Sequence, residues 1–330
     1  MGIRSLIISF IFIISLLSAG YALGTFAPWL TASLIFYAAF AVFFAGFIYR
    51  VIKWALIPVP FRIPVTCSQQ KSLDWINASP IENPSGKTGV FLRMASEIIL
   101  FRSLFRNSHT RMYEDRPVYG KDTALWLFGL LFHASMLIIV IRHLRFFIEP
   151  VPAVINKLSA WDGMFELGVP TIYLSDIIFT VSAIYLFMRR AAVSRLRYIS
   201  LVQDYIPLLL IISVAGTGIL MRHIYKVDLL KVKELATGWI SFSMALPEGI
   251  GLLFFVHLFC VCALLLWFPL SKLMHMGGVF LSPTRNLANS NRAIRHINPW
   301  NAPVKAHTYE EYEDEFREKM KSAGLPVEKE

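Results

Sequence analysis

The sequence predicts an all-α, polytopic membrane protein, and three observations support this fold class. Hydrophobic residues make up 56% of the 330 residues, and the mean hydropathy is +0.56. Apolar runs of about 20 residues, the length that crosses a bilayer as a helix, recur along the chain. Lys and Arg gather in the polar segments that flank these runs. This composition excludes the soluble fold classes.

Six apolar runs are predicted to be transmembrane helices, at roughly 5–23, 27–49, 122–145, 167–188, 200–222 and 247–271. The first run has the length of a signal peptide, but only Arg4 precedes it and the cleavage pattern near Ala22 is poor, so we keep it as span 1. With both termini inside, 25 Lys or Arg lie in inner segments and 7 in outer segments. This bias favours six spans in a cytoplasmic (inner) membrane, with cytoplasmic termini.

The spans and polar segments divide the chain into four regions: two N-terminal transmembrane helices (1–58), a cytoplasmic segment with an interfacial amphipathic helix (59–120), a four-helix membrane domain (121–283) and a cytoplasmic tail (284–330). In the second region, apolar residues recur at helical spacing at positions 91, 94, 98, 101 and 105. This pattern fits a helix on the inner membrane surface and a docking surface for a partner equally well. In the tail, Thr308 and Glu311 form a capping-box pattern that predicts a charged helix ending at a glycine.

The net charge of +10 does not indicate nucleic-acid binding, because the basic residues flank membrane spans and form no recognisable binding module. The cysteines, Cys67, Cys260 and Cys262, form neither a CxxCH nor a CxxC motif. The chain is therefore expected to hold no covalent haem and no iron–sulfur cluster.

Four histidines lie in two of the apolar runs, His133 and His143 in span 3 and His257 and His275 in the run 250–275. Histidine is costly in hydrocarbon, so each is by default a functional hypothesis. Ten residues of helix rise about 15 Å and turn through roughly 280°, so His133 and His143 are expected at different depths. Eighteen residues make five whole turns, so His257 and His275 are expected to point the same way.

If the two runs are antiparallel neighbours, His133 faces His275 on the inner side and His143 faces His257 on the outer side. Two facing imidazoles at two depths are what two haems b, each with two histidine ligands to iron, require. The rise of about 15 Å on one helix must then match about 27 Å on the other. Tilt and a kink at Pro269 are expected to absorb this difference. Taken singly, each histidine also fits a hydrogen bond to a neighbouring helix or a proton path.

Arginines crowd the ends of the spans. Arg142, Arg145 and Arg222 stand at outer ends, where the guanidinium fork suits a haem propionate or a quinone headgroup. Arg189 and Arg190 could serve an inner haem in the same way, although the positive-inside bias also accounts for them.

Three further polar residues each fit more than one role. His223 is a spare ligand, a quinone-site residue or an interfacial histidine. Asp176 and Asp204, within the ends of spans 4 and 5, either pair with arginines or carry protons.

The segments LLFHASMLIIVIRH (130–143), MRRAAVSRLR (188–197) and FPLSKLMH (268–275) resemble the nitrate reductase gamma subunit family of dihaem cytochromes b. The resemblance covers about residues 120–285 and implies the same histidine pairing, ten apart on one span and eighteen apart on the last. The N-terminal additions and the tail look more like the membrane cytochrome b subunit, subunit M, of the sulfite-reduction-associated Dsr complex and its heterodisulfide-reductase-like relatives.

These inferences together predict an electron-transfer subunit that oxidises a quinol, menaquinol by resemblance, at the outer face. Arg142, Lys157 and Asp162 are expected near the quinol headgroup, with Lys157 nearest to the family's quinol-site lysine. The electrons would leave to a cytoplasmic iron–sulfur subunit that resembles heterodisulfide reductase, beside other Dsr subunits. The alternatives are a nitrate reductase gamma subunit, another quinone-linked cytochrome b, or a non-redox transporter or scaffold.

Overall fold

The computed structural model describes residues 2–57, 79–163, 170–288 and 306–329. The predictions for Cys67, for the start of span 4 and for the first part of the tail lie outside the described residues. The described part confirms an all-α, polytopic membrane bundle. Five helices are long and apolar enough to cross a bilayer: Gly2–Phe26, Pro28–Ala55, Thr123–Phe146, Val202–His223 and Leu252–Leu270.

The helices are numbered in chain order. They are α1 (Gly2–Phe26), α2 (Pro28–Leu30), α3 (Phe36–Ala55), α4 (Lys87–Leu100), α5 (Arg102–Phe105), α6 (Thr123–His143), α7 (Ala153–Asp162), α8 (Leu174–Ala192), α9 (Ser194–Ile199), α10 (Val202–His223), α11 (Leu229–Ile240), α12 (Leu252–Trp267), α13 (His275–Leu281), α14 (Pro283–Asn286) and α15 (Tyr309–Ser322). A π-helical turn, Thr31–Ile35, joins α2 to α3 into one span.

The membrane helices pack in an arc. Helix α6 packs on α8, α8 on α10 and α10 on α12, while α1 packs on both α10 and α12, and α3 covers the other side of α12. Helices α6 and α12, both fully described, are at most in marginal contact with each other. Helices α8 and α10 therefore connect α6 to α12, the two membrane helices that carry His133, His143 and His257.

Helix α8 corresponds to the predicted span 4. It has 19 residues and packs between α6 and α10. It carries Asp176 in its first turn and Arg189 and Arg190 in its last, three charged residues in a helix of 19, and it is not among the five helices counted above. The sixth span thus stays a prediction that the position of α8 supports.

The run 250–275 is not one continuous helix. Helix α12 ends at Trp267, and Pro269 lies in the 3-10 turn that follows. Ser271 is extended (φ −117°, ψ −179°), and His275 begins α13 after a second 3-10 turn. The expectation of five whole turns from His257 to His275 is therefore wrong, because a proline cannot continue the helical hydrogen bonding. The predicted kink at Pro269 is confirmed.

The polar segment before α6 also differs from its prediction. The helix predicted from the apolar positions 91 to 105 ends at Leu100, because Phe101 adopts a left-handed conformation (φ 50°, ψ 46°). An antiparallel hairpin follows, in which β1 (Ser108–Tyr113) pairs with β2 (Arg116–Lys121). The hairpin lies beyond the predicted amphipathic stripe and was not predicted from the sequence.

The tail helix α15 begins as predicted. The Thr308 hydroxyl accepts the N–H of Glu311 at 3.2 Å, and the Glu311 carboxylate accepts the N–H of Thr308 at 3.3 Å. Gly324 follows the helix with a φ of +69°, the left-handed conformation of a glycine C-cap. Both predicted ends of this helix are confirmed.

The end of the chain folds back onto α15. Glu313 is buried, and its carboxylate accepts the backbone N–H groups of Glu328 at 2.7 Å and Lys329 at 2.8 Å. The hydrogen bond from Glu328 is the main reason why the pKa of Glu313 lies below its usual value. Residues 306–329 thus form a small unit with internal hydrogen bonding of its own.

Candidate functional site

The structure brings together the two histidines predicted as the inner pair. His133 lies on α6 and His275 is the first residue of α13. Their ring centroids are 5.8 Å apart, with the ring planes at 83°. Phe101 and Phe132 border the His133 ring, each with a centroid distance of 5.0 Å. The change of direction at Pro269 is what allows His275 to reach His133.

The two histidines predicted as the outer pair also lie near each other. His143 is the last residue of α6, and His257 lies in the first half of α12. The two rings are close enough to interact electrostatically. His143 is exposed and His257 is half-buried. Since His133 and His143 are ten residues apart on one helix, the two pairs stand at two levels about 15 Å apart.

In each of the four histidines, a hydrogen bond at Nδ1 fixes the orientation of the imidazole ring. Each Nδ1 is hydrogen-bonded to an oxygen: His133 to Gly129 O at 2.8 Å, His143 to Ile139 O at 2.7 Å, His275 to Lys272 O at 2.8 Å and His257 to Thr217 Oγ1 at 2.9 Å. A carbonyl oxygen only accepts, so Nδ1 carries the proton in the first three.

The same protonation follows for His257. The Thr217 hydroxyl gives its own hydrogen to Ser213 O at 2.8 Å and therefore accepts from His257 Nδ1. With Nδ1 protonated, each neutral ring keeps its lone pair on Nε2, and none of the four Nε2 atoms is hydrogen-bonded to a described residue. This is the arrangement in which a second hydrogen bond fixes a metal-ligating histidine.

The histidine pairs fit a haem better than a bare ion. No group of three or more His, Cys, Asp or Glu that could hold a metal ion occurs among the described residues. Two imidazoles suit an iron whose other four ligands come from a porphyrin ring. Small residues lie nearby: a Cβ added to Gly218 would lie 3.5 Å from the His257 ring, and Gly216 on the same helix borders open space.

Arg142 and Asp162, two of the predicted quinol-site residues, lie in a buried charge cluster. Arg142 is 7% exposed, its Nη1 lies 2.7 Å from Asp162 Oδ2, and its Nη2 donates to Asp176 Oδ1 at 2.6 Å. The guanidinium carbon stands 3.6 Å from the ring centroid of Tyr173. Asp162 also accepts the backbone N–H of Ser175 at 2.8 Å. Of the two roles left open for Asp176, pairing with an arginine is the one present.

The third predicted quinol-site residue, Lys157, is placed differently. It is exposed on α7, the helix that ends at Asp162, and it makes no ion pair with a described residue. Arg145 donates to Ser159 Oγ on the same helix at 2.7 Å. Lys157 is therefore the free cation of this group, whereas Asp162 is fully engaged.

Arg222 and His223 end α10 close to the same cluster. Arg222 donates to Thr171 O at 2.8 and 3.1 Å and stands 4.3 Å from the centroid of Tyr173. Tyr173 thus interacts with both Arg142 and Arg222. His223 is half-buried and has no hydrogen-bond partner in the described ranges.

Ion pairs also tie the opposite ends of the helices. Arg189 pairs with Asp122 just before α6. Lys272 Nζ lies 2.6 Å from Asp204 Oδ1, and Arg190 Nη1 lies 3.9 Å from Asp204 Oδ2. For Asp204, too, the observed role is pairing with cations. Arg190 stays partly exposed, at 38% of its side chain.

The sequence did not predict the roles of two residues that shape the site. Thr217 fixes the His257 ring, and Phe101 borders the His133 ring. No spacing rule links residue 217 to residue 257, because they lie on different helices. Phe101 stood on the amphipathic stripe of its segment, but its neighbour across the bundle could not be inferred from periodicity.

A multi-pass membrane bundle with two histidine pairs at two levels, whose Nε2 atoms have no hydrogen-bond partner among the described residues, is typical of the class of membrane cytochromes b. The chain belongs to the nitrate reductase gamma subunit family, whose model matches residues 117–296. It is 42% identical over 271 residues, 80% of this chain and 81% of the relative, to a protein of Archaeoglobus fulgidus named Hdr-like menaquinol oxidoreductase cytochrome b-like subunit. A protein of the same name in Archaeoglobus profundus is 41% identical over 272 residues, 80% of each chain. The predicted resemblance is confirmed.

Proposed function

We propose that this protein is a membrane dihaem cytochrome b subunit that oxidises menaquinol at the outer face and delivers electrons to an iron–sulfur partner in the cytoplasm. The observation that carries the proposal is the set of four imidazoles with protonated Nδ1 and free Nε2, grouped in two pairs. Menaquinol is supported by the names of the relatives. Each haem b, when bound, accepts and passes on one electron.

His133 and His275 would hold the inner haem, and His143 and His257 the outer haem. The hydrogen bonds at Nδ1 orient the rings and leave Nε2 as the ligating atom for this task. Among the arginines, Arg145 suits a propionate, because its buried Nε has no hydrogen-bond partner in the described part of the chain. At the inner end, the partly exposed Arg190 is the corresponding candidate.

The quinol site is proposed beside the outer pair, around α7. A quinol loses two protons together with two electrons, so its site needs polar groups at the water boundary. Lys157 is exposed and free to hydrogen-bond a headgroup oxygen. Arg142 and Asp162 would act behind it, because their ion pair ties the end of α7 to α6, and Asp162 also accepts an N–H from α8.

Adding a menaquinol analogue to the isolated protein is expected to produce a b-type α band in the reduced-minus-oxidised spectrum. In Lys157→Ala, about tenfold more quinol should be needed for half-reduction, since a hydrogen bond from a charged group contributes about 1.5–3 kcal/mol. Reduction by dithionite should be unchanged. Lys231→Ala, a second outer-segment lysine, is the control.

Two outcomes would count against these assignments. A protein with no b-type α band would contradict the function as a whole. An unchanged quinol requirement in Lys157→Ala would contradict the quinol site alone.

The exit of electrons on the cytoplasmic side rests on the polar segments. Cys260 and Cys262 are free and buried, and the sequence has no cysteine cluster to carry electrons further. The hairpin before α6 exposes Tyr113 and Tyr119, and α15 shows no substantial packing on the described part of the bundle. A charged helix that does not pack substantially on the described bundle suits contact with another protein.

We propose a heterodisulfide-reductase-like iron–sulfur subunit of a Dsr complex as the partner, which agrees with the words "Hdr-like" in the names of the relatives.

Deletion of 306–330 is expected to leave both haems spectroscopically intact, because α15 does not pack on the histidine helices. Co-purification of the partner should fall strongly. The matched control is Tyr309→Ala with Tyr312→Ala, which keeps the helix and removes two exposed rings. Undiminished co-purification after the deletion would rule out the tail as a docking element.

A further inference from the structure

Phe101 has a backbone conformation that is unusual for a bulky residue. Between α4 and α5 it adopts φ 50° and ψ 46°, the left-handed region. A side chain with a Cβ is disfavoured there, and such strain persists only where the surroundings impose it. The conformation therefore calls for a reason in the contacts around it.

Several interactions hold the chain on both sides of Phe101. Leu100 O accepts the indole N–H of Trp126 on α6 at 2.8 Å. The Glu97 carboxylate accepts the N–H of Ser103 at 3.1 Å and its hydroxyl at 2.6 Å. Arg102, the next residue, is paired with Glu82. These contacts fix the reversal of the chain and thereby fix the direction of the Phe101 side chain.

The result of this reversal is that the Phe101 ring turns inward, while the residues just before it stay exposed. Ile99 and Leu100 are 66% and 55% exposed, whereas Phe101 is half-buried and meets the His133 ring edge-on at 5.0 Å. Among the described residues, Phe132 and His275 are the other rings in contact with His133. Phe101 thus closes the side of the His133 imidazole that faces the polar segment.

We propose that Phe101 is a positioning residue of the inner haem site, which shields the His133 side of that site from water and so raises its reduction potential. The inference rests on the proposed function, because it requires a haem on His133 and His275. A bis-histidine ferric haem carries one more positive charge than the ferrous haem, and water favours the more highly charged state. Burial is accordingly one of the ways in which a protein sets a haem potential.

The test is a redox titration of the purified full-length protein, with the inner potential identified from a His275→Ala variant that lacks that haem. Phe101→Gly removes the ring while glycine adopts the left-handed backbone without strain. Phe101→Asn is a second variant, because asparagine also tolerates this conformation and brings a polar group. Phe91→Ala, at a 70% exposed position on α4, is the control.

Both Phe101 variants are expected to keep two haems and to show a lower potential for the inner haem, with the outer potential and the Phe91→Ala protein unchanged. Loss of the inner haem alone would also support the role. A two-haem Phe101→Gly protein with an unmoved inner potential would overturn this inference and leave the proposed function intact. So would an equal shift of both potentials, or the loss of both haems in both variants. A parent protein without haem would overturn both proposals.

Discussion

Replacement of His143 by alanine is expected to remove one haem and leave the other. His143 has its Nδ1 bonded to Ile139 O and its Nε2 free, and it lies close to His257. The inner pair, His133 and His275, is held by separate hydrogen bonds at the other level of the bundle. The absorbance of the b-type α band per protein should therefore fall to about half, since two independent sites contribute equally.

His223→Ala is the matched control for this experiment. His223 ends α10 and has no hydrogen-bond partner in the described part of the chain, so its loss should leave the haem content unchanged. Thr217→Val, which removes the acceptor for His257 Nδ1, should weaken haem retention by about 10–100-fold without removing a ligand. Full haem content in His143→Ala would show that the pairing is wrong, whereas loss of haem in His223→Ala would name a different ligand.

The histidine pairs illustrate what the sequence was able to predict. Their spacing along helices placed His133 near His275 and His143 near His257, because helix geometry fixes rise and rotation for each residue. The argument failed where it assumed a continuous helix up to His275. The helix ends at Trp267, and the turns that follow, of which the sequence indicated only the kink at Pro269, bring His275 to His133.

The residues that orient and shield the histidines could not be predicted from the sequence, for a different reason. Thr217 and Phe101 act through contacts between elements, which depend on how helices rotate against each other. The hairpin at 108–121 was missed because its strands are short and polar, so no apolar alternation marks them. Local patterns therefore predicted the ligands, while the residues that orient and shield them emerged only from packing.

The structure shows different roles for the arginines at the outer end. The sequence grouped Arg142, Arg145 and Arg222 as candidates for a propionate or a quinone headgroup. The structure commits Arg142 to two carboxylates and Arg222 to Thr171 O. An arginine that neutralises two buried acids contributes to stability first, and this role can be separated from ligand binding.

Arg142→Ala is expected to lower the free energy of unfolding by about 3–5 kcal/mol, the usual effect of removing one partner from a buried ion pair. The change leaves Asp162 and Asp176, 5% and 19% exposed, without their cation. Unfolding of the purified protein by heat or denaturant in detergent measures the effect. Arg145→Ala, which loses one hydrogen bond to Ser159, should cost only about 1 kcal/mol.

A triple variant tests whether Arg142 acts mainly through its ion pairs or by binding the quinol headgroup. Combining Arg142→Met with Asp162→Asn and Asp176→Asn removes the whole cluster of charges, and should restore most of the lost stability, because no buried charge is then left unpaired. If Arg142→Ala instead unfolds like the parent and only needs more quinol for reduction, Arg142 is a headgroup ligand. The same result would mean that its ion pairs with Asp162 and Asp176 contribute little to the fold.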